Sequence, residues 1–95
     1  MNITEYTIEE LHDPTGILEG HRYEFFLEIE VPEGDELFSE DGLLLRVIFA
    51  EANGEKNILH YEFIERNTNN ILDFALEEDE EELVLDFCIQ HYQEA

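Results

Sequence analysis

From Arg22 to Val31 every second residue is apolar: Tyr23, Phe25, Leu27, Ile29 and Val31 alternate with Arg22, Glu24, Phe26, Glu28 and Glu30. A period of two sends these sets to opposite sides of an extended chain, so the segment reads as a half-buried β-strand. Such a strand cannot stand alone. It needs neighbours in the sheet and a second layer over its apolar face. Pro32 and the acidic stretch to Gly42 end it. Residues 43–51 are apolar on both faces, which predicts a central strand. Asn53-Gly54 tolerates positive φ and predicts a tight hairpin turn into a partner strand over 58–65. Asn67-Thr68-Asn69-Asn70 turns the chain again, and Ile71 to Leu76 reads as a further strand. Near the start, Tyr6 and Ile8 alternate with acids as a strand does, although Thr7-Ile8-Glu9-Glu10 also fits a helix capping box. The strand, with a bulge before Leu11, is the favoured reading. Asp13-Pro14-Thr15-Gly16 and Glu19-Gly20 then supply turns.

The period changes after Glu77. At 100° per residue Leu83, Val84, Phe87, Cys88 and His91 fall on one arc, which predicts a C-terminal helix laid on the sheet through that stripe. Leu85, Ile89 and Tyr92 extend the apolar arc beyond it. They read either as a docking ridge for a second copy or another protein, or as a surface covered by a loop such as 12–20. The run Glu77, Glu78, Asp79, Glu80, Glu81, Glu82 sits where the helix dipole favours negative charge. Like charges four apart repel, so six acids exceed what the helix alone calls for.

Acidity is a property of the whole chain. Its 95 residues carry 26 Asp and Glu against four Lys and Arg, for a net charge of −22. The acids divide almost evenly, with eight in residues 1–32, nine in 33–65 and nine in 66–95. No linker or repeat interrupts the sequence, which reads as a single α+β domain over 1–95. The apolar content of 43% is too high for a disordered acidic tail. Direct binding to nucleic acid is excluded, because phosphate recognition works through Lys and Arg. Anionic lipid surfaces are disfavoured for the same reason. Uninterrupted apolar runs such as Leu43-Leu44-Leu45 and Val47-Ile48-Phe49-Ala50 are far too short to span a membrane, and no signal-peptide pattern opens the chain. Cytoplasmic location is the expectation. Cys88 is the only cysteine, which leaves no intramolecular disulfide and no cysteine-based zinc cluster.

Candidate binding residues form two groups: Glu28, Glu30, Glu33, Asp35, Glu36, Glu40 and Asp41, and the helical run Glu77–Glu82. They read as a solvated face, as a surface for a basic partner, or as a mimic of nucleic-acid charge. Spacing around Gly34, Gly42 and Gly54 fails the calcium-loop pattern. Spread over a folded surface of roughly 5,700 Å² the net charge is less than half as dense as that of DNA, so mimicry requires concentration on one face. His60 and Glu62, two apart on one strand, could offer two metal ligands, with a third to come from His12, His21 or His91. The simpler account is a sheet histidine. Cys88 reads as core packing, with no basic neighbour to activate it. There is no phosphate loop, nucleophile elbow or metalloprotease motif. The sequence therefore predicts no enzyme and no cofactor.

At Asn2-Ile3-Thr4-Glu5-Tyr6, Arg22-Tyr23-Glu24-Phe25-Phe26 and Leu72-Asp73-Phe74-Ala75-Leu76-Glu77-Glu78 the chain resembles a family of small acidic proteins of bacilli, a domain of unknown function. The resemblance runs nearly end to end. It implies a cytosolic bacterial protein of single-domain length and transfers no activity, cofactor or site residue. The expected fold is an antiparallel β-meander of about five strands with one helix on one face. The expected function is a non-catalytic interaction or regulatory module that meets a basic protein surface, with a homodimer as a further option. The alternatives are a nucleic-acid-mimicking inhibitor and a small metal-dependent enzyme using His60 and Glu62.

Overall fold

The computed structural model describes residues 2–12, 15, 20–35, 40 and 42–95. Strands β1 (Asn2–Leu11), β2 (His21–Glu30), β3 (Leu43–Ala52), β4 (Glu55–Glu65) and β5 (Ile71–Leu72) lie in sequence order in one sheet, and each pairs antiparallel with the next. Helix α1 (Glu78–His91) follows and runs into a 3-10 turn at Tyr92–Glu94. The expected meander with a C-terminal helix is the observed architecture. β3, apolar on both faces, is the central strand.

Turn chemistry sets the registers. Asn53 and Gly54 both take positive φ, 55° and 82°, and join Ala52 directly to Glu55. That tight turn starts β4 three residues earlier than its apolar run suggests. Gly20 has φ 78°, and a Cβ there would sit 2.3 Å from the carbonyl oxygen of Glu51, so only glycine lets β2 begin beside the end of β3. The first segment is strand throughout. Its bulge lies between Ile3 and Glu5, not before Leu11, and brings Tyr6 opposite Leu27 and Ile8 opposite Phe25. The turns expected around Asp13 to Gly16 fall largely outside the described residues.

One sheet face carries the core. Phe25, Leu27, Leu45, Val47, Phe49 and Phe63 are fully buried there, together with Val84 and Cys88 of α1. Each such side chain contributes about 1.5–3 kcal/mol from burial. α1 crosses this face obliquely. Near its start Leu76 is buried and its N–H donates to the Tyr61 hydroxyl of β4 at 2.9 Å. At its far end Phe87 meets Tyr6 of β1 edge-on, with centroids 5.0 Å apart, and Tyr92 lies 5.4 Å from Tyr23 and 5.3 Å from Phe49.

The helix is rotated slightly from its expected phase. Val84, Phe87 and Cys88 of the expected stripe do meet the sheet, and His91 contacts Tyr6, but Leu85 and Tyr92 join them while Leu83 is 45% exposed and points away. Aromatic contacts decide this: Tyr92 fills the space above Tyr23 and Phe49, and its position fixes the rotation of the preceding turns. Hydrophobic periodicity cannot separate two orientations of a helix that is apolar over so wide an arc.

β5 is also shorter than expected, two residues in place of six. After Leu72 the N–H of Phe74 donates back to the Leu72 carbonyl at 3.0 Å, and the chain turns out of the sheet. Leu76 then enters the core and Tyr61 captures its N–H. β5 pairs with β4 only at Phe63 and Ile64.

Candidate functional site

The early end of β5 leaves a groove between β4 and the first half of α1. Its volume is about 550 Å³, and Asn57, Ile58, Leu59, His60 and Tyr61 line one side, with Glu78, Glu81, Glu82 and Leu85 on the other. Two local features position the acids. The Glu80 side chain accepts the Glu77 N–H at 3.0 Å and fixes the first turn of the helix. Leu85 is half-buried against the core, which turns Glu82, Glu81 and Glu78, three, four and seven residues before it, toward the groove. The floor is apolar (Ile58, Tyr61, Leu85) and the helix wall is acidic. Leu59, opposite the register shift between Ile48 and Phe49, stands 51% exposed at the mouth.

The remaining sequence candidates fall elsewhere. Glu28 lies on the opposite face of the sheet, across from Glu5, and is paired with Arg66. Glu30 and Glu40 border a smaller hollow of about 250 Å³ with Gly42 and Arg66. Glu33 and Asp35 are exposed in the turn after β2, while Glu36 and Asp41 lie outside the described residues. Asp79 sits on the outer side of the helix with Leu83 and Asp86. Neither the groove nor the smaller hollow is lined by members of both acidic groups. The sheet separates Glu28 from the helical run.

The ridge of Leu85, Ile89 and Tyr92 is not one exposed surface. Leu85 lines the groove, Ile89 is exposed, and Tyr92 packs on Tyr23 and Phe49. Whether residues 12–20 approach them lies mostly outside the described residues.

His60 and Glu62 do share a face, with Nε2 and Oε2 3.7 Å apart, and Glu62 also accepts from Arg46 at 3.2 Å. His21 pairs with Glu10 at 2.9 Å, and His91 with Glu94. Among the described residues no three His, Cys, Asp or Glu side chains are grouped to hold a metal. Burial pushes the Cys88 thiol up to about 12, so it is a packing group and a poor nucleophile. Another knot of titratable groups joins the end of the helix to β1. Tyr6 donates to Glu94 at 2.7 Å, and His91 contacts both. The hydrogen bond to Glu94 raises the Tyr6 hydroxyl, while those from His91 and then Tyr6 lower the Glu94 carboxyl. All three side chains are committed to one another, in an arrangement that fastens the helix.

Ile58, Leu59 and Tyr61 are the groove residues the sequence did not single out. Their signal was present in β4, but a six-residue β5 would have covered them. Among the described residues no helix is long and apolar enough to cross a membrane. Neither a curated protein nor a solved structure matches the chain. A model described as a family of unknown function (DUF6509) matches residues 1–95, and the chain belongs to that family.

Proposed function

We propose that this chain is a non-catalytic interaction module that docks a basic protein surface through the groove between β4 and α1. The observation that carries this reading is the join of two features at one place. An apolar floor of Ile58, Tyr61 and Leu85 lies directly beside Glu78, Glu81 and Glu82. Apolar contact supplies affinity, and one-signed charge selects the partner and speeds encounter. A second copy of the chain is a poor occupant, since each brings a net charge of −22. The single cysteine, buried and free, suits a reducing cytoplasm.

Titration calorimetry with helical and extended lysine-rich peptides tests the reading. The triple variant E78Q/E81Q/E82Q is expected to weaken binding about tenfold or more at low salt, and added salt should erase the difference. The control variant E30Q/E33Q/E40Q, at the far end of the sheet, should bind as the parent does. If the control loses as much affinity, the charge acts as a diffuse cloud and the groove is not the site. If no basic peptide binds, the reading fails.

A further inference from the structure

β4 offers more than side chains. Its pairing with β5 stops at Phe63, and from Asn57 to Tyr61 the side of β4 away from β3 has no strand partner among the described residues. Among the described residues, none of the backbone hydrogen bonds outside the strands and helices reaches this stretch. The same five residues line the groove. A row of N–H and C=O groups with no backbone partner among the described residues therefore borders an apolar trough with an acidic wall, in line with β5 and beneath the start of α1. Exposed edges template pairing with another chain unless something blocks it.

We propose that this edge takes up an extended, lysine- or arginine-bearing segment of a partner protein as an added strand, an inference that rests on the groove being a basic-partner site. Alternation dictates the chemistry of the segment. Every second side chain of an added strand points to the helix side. There a long basic residue lays its stem over Ile58, Tyr61 and Leu85 and reaches Glu78, Glu81 and Glu82 with its charge. The intervening side chains face the other way, beside exposed His60, and suit β-branched residues. Self-pairing of two copies through this edge is opposed by Glu55, Glu62 and Glu65 on β4 and by the helical acids, with Lys56 the only lysine or arginine in the strand. Like charge thus blocks aggregation and leaves the edge to a cationic strand.

The probe is an octapeptide alternating lysine and valine, with two versions N-methylated at one or the other alternate set. The parent peptide is expected to bind and to slow amide hydrogen exchange within Asn57–Tyr61, read by NMR. One methylated version should lose about tenfold or more in affinity, as expected for two lost backbone hydrogen bonds, and the other should bind normally. If both methylated versions bind as the parent does, or if binding leaves the β4 amides unprotected, the added strand is wrong. A helical lysine-rich peptide that binds while the octapeptide does not would also sink the strand, yet leave the groove reading intact. If no basic peptide binds, both fall.

Discussion

The two faces of the sheet are built from the same strands and have opposite characters. On β3 the set Leu43, Leu45, Val47 and Phe49 is sealed beneath α1, while Leu44, Arg46 and Ile48 on the other side are only half-buried. Phe26 and Ile64 join them on that open face. No strand or helix of the described residues lies over it. At its centre Arg46 donates to Glu24 at 2.7 Å and to Glu62 at 3.2 Å. A period of two separates these faces, but it does not say which one is covered when both carry large apolar residues. What marks the open face is that its charges are paired in place, with none buried unsatisfied.

Adjacent phenylalanines give the most direct attack on this comparison. Phe25→Ala, on the sealed face, should cost about 3–5 kcal/mol through lost burial and the cavity left behind. Phe26→Ala, one residue on, should cost about 1–2 kcal/mol, because water already reaches part of its ring. Urea denaturation of the two variants measures the difference. Equal costs would mean that the open face is covered as firmly as the other.

Cys88 reports on the same seal kinetically. With its thiol raised to about 12 and fully buried, reaction with a thiol reagent near neutral pH should run about a thousandfold or more slower than in denaturant. Phe25→Ala should speed that reaction far more than Phe26→Ala, since local opening of the core exposes the sulfur. A fast reaction in the parent protein would show that α1 is not held on the sheet.

Arg46 probes the open face itself. It and its partners are partly buried, with side-chain exposures of 29%, 18% and 20% for Arg46, Glu24 and Glu62. Arg46→Ala should therefore destabilise by about 1–3 kcal/mol, between the values for exposed and buried pairs, by leaving two carboxylates without a cation. Adding Glu24→Gln and Glu62→Gln should recover most of the loss. Failure to recover would locate Arg46's contribution in its aliphatic stem and not in its charge.

How much of this was legible in the residues divides along the same line. Strand order followed from local signals: the alternation of β2, the two-faced run of β3 and the Asn53-Gly54 turn. Each is decided within a few residues of chain. The helix phase and the end of β5 are tertiary results. Tyr92 chooses the core because Tyr23 and Phe49 leave room above them, and Leu76 is drawn inward by Tyr61. None of these partners is near in sequence. The groove depends on both, so its acids were visible as a run but its apolar floor and free edge were not. The net charge was equally plain, yet it did not show that the described members of the two acidic groups would lie apart.

The smallest effects bear on whether arrangement or total charge governs this fold. Glu94, on the helix side, has its carboxyl lowered by hydrogen bonds from His91 and then Tyr6. Glu5, on the open face, has its carboxyl raised by a hydrogen bond with Glu28 and by that residue's charge. Linkage gives these opposite signs. A lowered carboxyl contributes stability above its unfolded pKa and loses it as pH falls through the folded value. A raised one disfavours the folded state at neutral pH, and that penalty disappears as pH falls through the folded value. Glu94→Gln should therefore weaken the protein near neutrality and converge with the parent in acid. Glu5→Gln should strengthen it near neutrality, with the gain fading in acid. Urea midpoints measured from about pH 3 to 7 would resolve both curves. Were general self-repulsion from the −22 charge dominant, removing either carboxylate would stabilise the protein near neutrality. A divergence would show that each acid acts through the partner its face supplies.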